Sequence, residues 1–568
     1  MDRHSVDQLA ANTLKILSAE AVQRANSGHP GMPMGMADAA WVLWSRYLKH
    51  DPRNPDWLGR DRFILSAGHG SMLLYSLLHL FGYGLTTDDL KSFRQLDSHT
   101  PGHPEYWNPA GVETTTGPLG QGFANGVGMA IAKRHMAATF NTGDFSLFDH
   151  KVYAIVSDGD LMEGLSAEAA SLAGHLGLGE IIYLYDDNHI SIEGDTALTF
   201  DSEDVLKRFQ AYGWHTLEVD GHDHEQVARA IEAAGVVTDR PSLIKCRTTI
   251  GAGSPNMAGT AKIHGAPMGE EELALTKKNL GFDEGKEFYV PEEVRAVLDE
   301  RRTQLAGEFD SWQAALTAWK KKHPEKAGLL ESFYNPRVPG DLSDRLLAAV
   351  GDKAIATRSS GGKAQQVIAE VFPNLVGGSA DLEPSTKTLI NGAGDFTRDC
   401  PGGRNFHWGV REHAMGSVLN GMAFYGGLKV FGATFFVFSD YMRPSIRMAA
   451  ISRCEVIYVF THDSVFVGED GPTHQPVEQT MALRVIPNLV VIRPSDATES
   501  AIAWEVAATR KGGPVAMLLS RQNIEVIDRK RYADARELKK GAYIISEASE
   551  GDPELILIAT GGEVGVCL

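Results

Sequence analysis

The chain has 568 residues, of which 43% are hydrophobic and 22% are charged, with 59 Gly and 25 Pro. This length predicts several domains and excludes a small binding module, and the composition excludes a disordered or collagen-like chain. The 54 Lys and Arg residues are outnumbered by 73 Asp and Glu, which gives a formal net charge of −19. Because no basic cluster interrupts this acidic balance, we expect neither nucleic acid nor a membrane as a partner.

The cysteines and the hydropathy indicate a cytoplasmic protein. The four cysteines are widely separated and form no CxxC pair, so neither a disulfide framework nor a cysteine-rich zinc site is expected. No apolar run in the sequence reaches the roughly 18 residues that a membrane span needs. The first residues show the pattern of neither a signal peptide nor a transit peptide. We therefore expect a reducing, cytoplasmic compartment.

The chain opens with a predicted amphipathic helix. Ser5 and Gln8 have the spacing of a capping box, and apolar residues then recur at helical intervals. Gly28 and Pro30 end the helix and leave His29 on a turn. The first helix therefore leads directly into a loop that carries a histidine.

Two apolar runs in the first half predict neighbouring parallel strands. The runs 152–156 and 181–185 are rich in β-branched and aromatic residues, as expected for strands buried on both faces. The Ala/Leu-rich stretch 162–177 between them is long enough for a crossover helix. This βαβ unit places the first half of the chain in the α/β class.

The second half repeats the α/β pattern after a predicted linker. A long amphipathic helix begins near Pro291 and ends before 323–341, where several prolines and glycines predict the linker. The strand candidates that follow, separated by helix-compatible segments, are 375–376, 429–431, 456–460, 489–492 and 515–519. They predict a second parallel-sheet domain.

The final stretch, 535–568, predicts less than a whole domain. It contains two more strand candidates, 542–545 and 555–559. Because roughly 35 residues cannot bury a core of their own, this stretch either packs on the second domain or begins a third α/β domain. The predicted domains are therefore 1–322 and 342–534 on either side of the linker, followed by this incomplete C-terminal part.

Polar residues follow the two predicted neighbouring strands of the first domain. Asp158 and Gly159 come after one strand, and Asn188 comes after the next. Because the carboxyl ends of parallel strands meet at one edge of a sheet, Asp158 and Asn188 can converge on one cation. Carboxylate, amide and backbone oxygens suit Mg²⁺ or Ca²⁺, and a Mg²⁺ with open positions would take diphosphate oxygens. The alternative is that both side chains only cap the helices that follow.

Several histidines lie within two residues of Gly or Pro in predicted loops, namely His29, His69, His103, His264 and His474. Such residues suit proton transfer, since general acid and base catalysis near pH 7 requires a pKa close to 7. The alternative for each one is an ordinary turn residue. Zinc is not favoured, because the sequence has no HExxH motif and no clustered Cys/His spacing. His222 and His224 are predicted to form an exposed polar turn.

Two other motifs are ambiguous from spacing alone, and a third is excluded as a hydrolase triad. Glu412, beside Arg411, has the pattern of an ordinary acid at a helix start. Phe435, Phe438 and Tyr441 recur at intervals of three, which favours core packing but also permits stacking on a ligand ring. The run His462, Asp463, Ser464 does not predict a hydrolase triad, since adjacent residues on an extended chain point to opposite sides.

Taken together, five segments resemble the transketolase family of thiamine-diphosphate enzymes. They are 27–31, 116–122, the metal motif from Asp158 to Asn188, 461–476 and 519–522, in order along the chain. One departure is Ser157, where many relatives have glycine before the aspartate. The resemblance implies an α/β fold with two thiamine-diphosphate-binding domains, each a parallel sheet flanked by helices. It assigns 1–322 to the diphosphate and metal and 342–534 to the pyrimidine ring.

The resemblance also implies a role for individual residues. The implied metal ligands are Asp158, Asn188 and the backbone carbonyl of Ile190. The implied cofactor-binding residues are His69, Gly117, Pro118, Leu119, Gly159, Asn188, His264 and Phe438. The implied catalytic residues are Glu412, His29, His264, His103 and His474. The implied substrate-binding residues are His29, His264, Arg358, Ser385, His462, Asp470, His474 and Arg521, of which Arg358, Ser385, His462 and Arg521 would surround a phosphate.

The implied activity is the reversible transfer of a two-carbon ketol unit between phosphorylated sugars of the pentose phosphate pathway. The donor would be a ketose phosphate such as xylulose 5-phosphate, and the acceptor an aldose phosphate such as ribose 5-phosphate. The implied cofactors are thiamine diphosphate and Mg²⁺, with Ca²⁺ or another divalent cation as alternatives. The implied assembly is a homodimer with active sites at the subunit interface.

Other activities remain alternatives at this point. Dihydroxyacetone synthase, deoxyxylulose-phosphate synthase and phosphoketolase share the cofactor chemistry. The complete set of His29, His103, Asp470 and the phosphate-side residues favours the transketolase family over them. A non-catalytic relative that keeps the fold as an interaction protein is disfavoured, because the catalytic side chains are all in place.

Overall fold

The computed structural model describes residues 3–549 and 551–568. The chain divides into two compact units, Met1–His323 and Pro324–Leu568. None of the described helices is long and apolar enough to cross a membrane.

The helices of the first unit are α1 Arg3–Ala25, α2 Gly31–Val42, α3 Ser71–Phe81, α4 Thr87–Lys91, α5 Gln121–Phe140, α6 Asp158–Met162, α7 Gly164–Leu176, α8 Val205–Ala211, α9 His224–Gly235, α10 Glu270–Asn279 and α11 Glu292–Lys322. Shorter helical segments are the π turn Leu43–Tyr47 and the 3₁₀ turns Gly68–Gly70, Thr196–Leu198 and Ala261–Ile263. The first helix was predicted correctly, but the capping box was not. Ser5 lies inside α1 and so does not cap its start.

The strands of the first unit are β1 Arg62–Leu65, β2 Val152–Ser157, β3 Ile181–Asp187, β4 His215–Asp220 and β5 Ser242–Arg247. They form a parallel sheet in the order β1-β2-β3-β5-β4. Every residue of β2 and β3 is buried, which explains why both strands could be recognised as continuous apolar runs. Strand β4 was missed because its polar residues are only partly covered.

The first core lies between this sheet and helices α1 to α3. Leu14, Trp41 and Tyr75 from the helices are fully buried together with Ile155 and Leu184 from the sheet. Helix α7 connects β2 to β3 as the predicted crossover. The packing thus fixes the carboxyl ends of β2 and β3 side by side, with Ser157 opposite Asp186 in the register.

The helices of the second unit are α12 Pro324–Tyr334, α13 Leu342–Val350, α14 Thr357–Val371, α15 Glu383–Thr386, α16 Glu412–Tyr425, α17 Ser439–Ile451, α18 Gln479–Arg484, α19 Ala497–Thr509 and α20 Val564–Cys567. Its 3₁₀ turns are Phe436–Phe438, Val465–Val467, Ala535–Lys540 and Gly561–Glu563. The stretch 323–341, predicted as a linker, thus contains helix α12 followed by a loop.

The strands of the second unit are β6 Ile355–Ala356, β7 Leu375–Ser379, β8 Asn405–His407, β9 Lys429–Phe435, β10 Val456–Thr461, β11 Val490–Ile492, β12 Val515–Leu519 and β13 Asn523–Ile524. The main sheet is parallel, in the order β11-β12-β10-β9-β7-β8, and β13 pairs antiparallel with β6. All five strands predicted up to residue 519 are present. They pack on a core that includes Ile368, Val459, Trp504 and Met517.

The C-terminal stretch differs from the prediction. The strands expected at 542–545 and 555–559 are absent from the described residues, and both segments form turns and irregular backbone. The apolar side chains of Leu555, Ile556, Leu557 and Ile558 are exposed. An apolar, β-branched run forms a stable strand only when another strand or a core covers it, and neither is present for this segment in the described part of the chain.

Candidate functional site

Ser157 is the last residue of β2 and stands where many members of the family have glycine. Its φ is −115°, which is extended backbone that any residue adopts. Its hydroxyl accepts a hydrogen bond from the Asp160 N–H at 3.4 Å, and its own N–H donates to Asp160 Oδ2 at 2.9 Å. Ser157 therefore caps helix α6, and the motif needs no glycine at this position.

Asp158, the next residue, is buried and has one oxygen to spare. Its Oδ1 accepts a hydrogen bond from the Tyr185 hydroxyl, whereas its Oδ2 is buried and accepts none in the described part of the structure. Burial, followed by the charge of Asp187, raises the pKa of Asp158 to about 6. A buried carboxylate oxygen without a donor fits a bound cation, which would supply the missing positive charge.

Asn188 and Ile190 lie at the end of the neighbouring strand and are tied to each other. The Asn188 amide donates to Asp186 Oδ2 at 2.8 Å, and its Oδ1 accepts from the Ile190 N–H at 3.0 Å. Asp186 also accepts a hydrogen bond from the Thr248 hydroxyl, and burial raises the pKa of Asp186 to about 7. Sequence reasoning missed this role of Asp186, although the acid-acid-amide run at the end of β3 was a signal for it.

The donor set predicted for the metal is one carboxylate, one amide oxygen and one backbone carbonyl. Among the described residues, no group of three or more His, Cys, Asp or Glu side chains could hold a metal ion. The predicted set is not of that kind, because two of its three oxygens come from an amide and the backbone. Such oxygen-rich sets suit Mg²⁺, which binds few protein ligands and keeps several positions for phosphate and water.

The turn 117–119 packs against Gly68 and against Gly159, the latter of which was expected to approach a cofactor. Gly117 has a φ of +148°, and a Cβ on Gly68 would lie 2.7 Å from its backbone nitrogen. A Cβ on Gly159 would lie 2.7 Å from Leu119 Cδ1. Pro118 is exposed at the tip of this turn. At Gly68 only glycine fits, because the neighbouring atom belongs to the backbone, whereas a side chain at Gly159 would have to displace the end of the Leu119 side chain.

Asp160 holds this turn against the first helix turn after β2. It is fully buried, and its Oδ1 accepts from the Gly120 N–H at 2.8 Å and from the Ser66 hydroxyl at 2.7 Å. Its other oxygen accepts from Ser157. No local pattern predicted that this acid, two residues after Asp158, joins three loops.

Four of the predicted histidines meet in the first unit. The ring centre of His29 lies 5.3 Å from that of His69, 5.8 Å from His264 and 6.4 Å from His103. His69 and His264 stack with their ring centres 5.3 Å apart. The loops that carry these residues are far apart in sequence, so the fold brings together what the spacing could not. His103 also approaches Gly117.

The imidazoles in this cluster are neutral near pH 7. Burial, followed by the charges of neighbouring groups, lowers the pKa of His29 to about 4 and that of His69 to about 3. Burial also lowers the pKa values of His264 and His103. A neutral imidazole has a lone pair that can accept a proton, so the cluster offers several proton acceptors in one place.

Arg94 is a residue of this cluster that sequence reasoning missed. Its guanidinium donates to the Ser27 hydroxyl at 2.8 Å, and a second nitrogen lies 3.4 Å from His29 Nδ1. Because a guanidinium only donates, His29 Nδ1 acts as the acceptor in this contact. No local motif marked this arginine.

In the second unit, Glu412 is the first residue of α16 and is half-buried. Burial raises the pKa of its carboxyl group. Phe438 lies at the end of the 3₁₀ turn after β9, with its ring centre 5.4 Å from His474 and 6.4 Å from Phe435. The ring of Phe438 is only partly buried, so it is not used entirely for core packing.

A cationic cluster lies at the carboxyl edge of the second sheet. Arg358 Nη1 donates to the Ser385 carbonyl at 2.9 Å and lies 3.3 Å from His462 Nε2. Arg521, just after β12, forms an ion pair of 2.7 Å with Glu469. Burial, then the charges of Arg358 and Arg521, lowers the pKa of His462 to about 3. Of the four residues predicted to surround a phosphate, Ser385, His462 and Arg521 lie in segments that follow β7, β10 and β12 of the main sheet, and Arg358 follows β6 of the two-stranded sheet.

Two further predicted residues lie in the loop that follows β10. Asp470 is exposed next to Glu469. His474 Nδ1 lies 2.9 Å from the Thr473 hydroxyl, and its ring contacts Phe438 edge to face. The charge of His474 also contributes to the lowered pKa of His462, which places both in one electrostatic neighbourhood.

The prediction for His222 and His224 was wrong. His224 is buried and His222 is about one-third exposed. His222 Nδ1 lies 2.9 Å from Asp38 Oδ2, and His224 Nε2 lies 3.0 Å from Asp38 Oδ1. Asp38 is itself buried and also pairs with Lys15 at 2.8 Å. The partner carboxylate comes from α2, far away in sequence, so a local polar pattern could not reveal it.

Known protein families match both units. A family model described as transketolase, thiamine diphosphate binding domain, matches residues 6–339, and one described as transketolase, pyrimidine binding domain, matches residues 353–526. A transketolase of Geobacillus stearothermophilus is 53% identical over 570 residues, which covers 100% of this chain and 85% of the relative. The chain belongs to the transketolase family.

Further transketolases agree with this membership. The transketolase of Bacillus subtilis is 50% identical over 99% of this chain and 85% of the relative. A solved Pichia stipitis transketolase in complex with sedoheptulose 7-phosphate is 41% identical, with a TM-score of 0.94 over 99% of this chain and 83% of that chain. A Leishmania mexicana transketolase is 45% identical, with a TM-score of 0.92 over 95% and 80% of the two chains.

These likenesses confirm the predicted family and the α/β fold with two thiamine-diphosphate-binding domains. Transketolase function follows from them, so the chain is a ketol-transferring enzyme that depends on thiamine diphosphate.

Proposed function

We propose that this transketolase-family enzyme moves a two-carbon ketol unit from a ketose phosphate such as xylulose 5-phosphate to an aldose phosphate such as ribose 5-phosphate. The observation that carries the choice of phosphorylated sugars is the cluster of Arg358, His462 and Arg521 at one sheet edge. Guanidinium groups match phosphate oxygens in geometry and charge. They would provide local attraction for an anion in a chain whose net charge is −19.

The metal proposed for the first unit is Mg²⁺. Asp158, Asn188 and the Ile190 carbonyl would hold it, and the unused buried oxygen of Asp158 supports this assignment. Gly159 and the turn 117–119 would lie against the diphosphate, because they are in contact beside Asp158 and because Gly117 and Gly159 carry no side chain that would block the ligand. His69 and His264 would complete the contacts to the cofactor.

Thiamine diphosphate, when bound, supplies a nucleophilic carbon and an electron sink. Glu412 would share its proton with the pyrimidine ring nitrogen N1′. Its raised pKa supports this role, since burial favours the protonated form of the carboxyl group, which can donate to a ring nitrogen. Phe438 would stack on the same ring.

The histidines would move the substrate protons. His103 and His264 stand beside His29 as neutral imidazoles in the first unit, which suits them to accept a proton from a donor hydroxyl and return it later. Because His29 Nδ1 accepts from Arg94, His29 would donate its Nε2–H to a substrate oxygen. His474 would serve the same purpose from the second unit, beside Phe438. Asp470 would contact a sugar hydroxyl and read its configuration.

The residues proposed for the diphosphate lie in the first unit, and Glu412 lies in the second. We infer from the family likeness that the enzyme is a homodimer with its active sites at the subunit interface. Sedimentation of the purified protein with cofactor would give the mass of a dimer; a monomer with full activity would contradict this part of the proposal.

One product assay tests the proposed reaction. The purified protein is incubated with thiamine diphosphate, Mg²⁺, xylulose 5-phosphate and ribose 5-phosphate. Sedoheptulose 7-phosphate and glyceraldehyde 3-phosphate should accumulate in equal amounts. Release of acetyl phosphate would instead identify a phosphoketolase, and failure to bind thiamine diphosphate would identify a non-catalytic relative.

A further inference from the structure

Glu469 has no part in the proposed reaction, yet it contacts one of the proposed phosphate ligands. Its carboxylate lies 2.7 Å from Arg521 Nη2, and its side chain is 74% exposed. Within the described residues, no other ion pair involves Arg358, His462 or Arg521. Glu469 is therefore the one acid that this part of the structure places directly against the cationic cluster.

The cluster itself is crowded with positive charge. The charge of Arg521 lowers the pKa values of both Arg358 and His462, after the larger effect of burial. The Nε of Arg358 is buried without an acceptor among the described residues. The cluster thus has unused donor capacity for an anion, and part of the donor capacity of Arg521 is occupied by Glu469.

The loop that carries Glu469 is held by its own hydrogen bonds. The Gln475 amide donates to the carbonyls of Val465 and Gly468 at 3.1 Å each, and the Gly471 N–H donates to the Gly468 carbonyl at 3.0 Å. The position of Glu469 therefore does not depend on its ion pair alone. The same loop presents Asp470.

We propose that Glu469 is a displaceable counter-ion that lowers the affinity of the Arg358, His462 and Arg521 cluster for the substrate phosphate. By doing so, Glu469 limits the preference of the enzyme for phosphorylated over unphosphorylated sugars. This inference rests on the proposed function of that cluster. A phosphate that binds Arg521 must displace the carboxylate or share the guanidinium with it, and two anions on one guanidinium repel each other. An exposed ion pair is weak enough to be displaced during turnover.

The test compares Glu469→Gln with the parent enzyme, each loaded with thiamine diphosphate and Mg²⁺. The variant should lower the KM for ribose 5-phosphate and the inhibition constant of inorganic phosphate about 2- to 5-fold, as the strength of exposed ion pairs indicates. The KM for glycolaldehyde, an acceptor without phosphate, should stay unchanged. Glu455→Gln, which removes the same charge from an exposed pair with Lys511, is the matched control.

Each of the following outcomes would overturn the inference. A higher KM for ribose 5-phosphate in Glu469→Gln would mean that Glu469 orients Arg521 for the substrate instead of competing with it. An unchanged KM, or an equal fall in Glu455→Gln, would remove any specific effect. If Arg521→Gln binds ribose 5-phosphate as well as the parent, the phosphate cluster itself is wrong. If Arg521→Gln weakens binding and Glu469→Gln changes nothing, only the counter-ion role fails.

Discussion

Asp160 accepts a hydrogen bond from the backbone N–H of Gly120 at 2.8 Å, and this contact joins the turn proposed for the diphosphate to the helix turn that carries Asp158. The same carboxylate also binds Ser66 and Ser157. One buried acid thus fixes the relative position of three loops that have no contact in sequence.

Asp160→Asn should therefore weaken cofactor binding as well as stability. Both oxygens of Asp160 accept from N–H or O–H donors, so the amide NH2 of the variant would face a donor in place of one oxygen. A buried donor left unpaired in this way costs about 1–3 kcal/mol. We expect a lower melting temperature and a higher dissociation constant for thiamine diphosphate in a Mg²⁺-dependent titration. A variant that loses stability but binds the cofactor with unchanged affinity would show that Asp160 does not position the turn.

Glu412→Gln should nearly abolish turnover while cofactor affinity stays largely in place. The amide has about the same shape as the carboxyl group but cannot exchange the proton, and such proton transfers contribute roughly 10²- to 10⁴-fold to the rate. Steady-state kinetics with xylulose 5-phosphate and ribose 5-phosphate measures the effect. Glu292→Gln, at the first residue of α11, is the control for loss of an acid at a helix start. Retained activity in Glu412→Gln would refute the assignment.

The histidine cluster should make stability depend on pH. The pKa of His29 is about 4 in the folded protein and near its ordinary value of 6.5 in the unfolded chain. Between these values the unfolded chain binds more protons, so the contribution of His29 is complete above pH 6.5 and is lost as the pH falls toward 4.

His29→Asn removes this part of the pH dependence. The free energy of unfolding by denaturant, measured from pH 4 to pH 7, should rise less steeply in the variant than in the parent. His175→Asn, on the exposed side of α7, should keep the parent slope. The account of the cluster fails if the two variants have the same slope.

Asp38→Asn should be strongly destabilising. The change leaves the buried Lys15 without its charge partner, and breaking one side of a buried ion pair costs about 3–5 kcal/mol. Asp239→Asn, which disrupts an exposed pair with Arg240, should cost no more than about 1 kcal/mol. Chemical denaturation of both variants provides the comparison. Equal losses would mean that the Asp38 network contributes no more than a surface ion pair.

The sequence predicted most reliably the elements that are buried on both faces. The runs at 152–156 and 181–185 lie within fully buried strands, and the polar residues after them lie at the shared sheet edge. These predictions need only local composition, because a strand with two covered faces is apolar throughout. The same rule failed at 555–559, where an equally apolar run pairs with no strand among the residues that the structure describes.

The contacts that organise the site were beyond local patterns. Asp38 meets His222 and His224 across more than 180 residues, and Arg94 meets His29 across 65. Each of these side chains is ordinary for its own segment, so only the packing of distant segments reveals the partner. The individual histidines could be selected by their Gly and Pro neighbours, but their assembly into one cluster required the fold.

Ser157 shows what the constraint on the metal motif is in this chain. Ser157 has an extended φ of −115°, and its hydroxyl caps α6. A small side chain with an oxygen is therefore favourable at this position, and the backbone conformation does not require glycine. A sequence signature that insisted on glycine there would discard functional enzymes of this kind. The residue that Ser157 pairs with is the aspartate three positions later, whose carboxylate completes the cap.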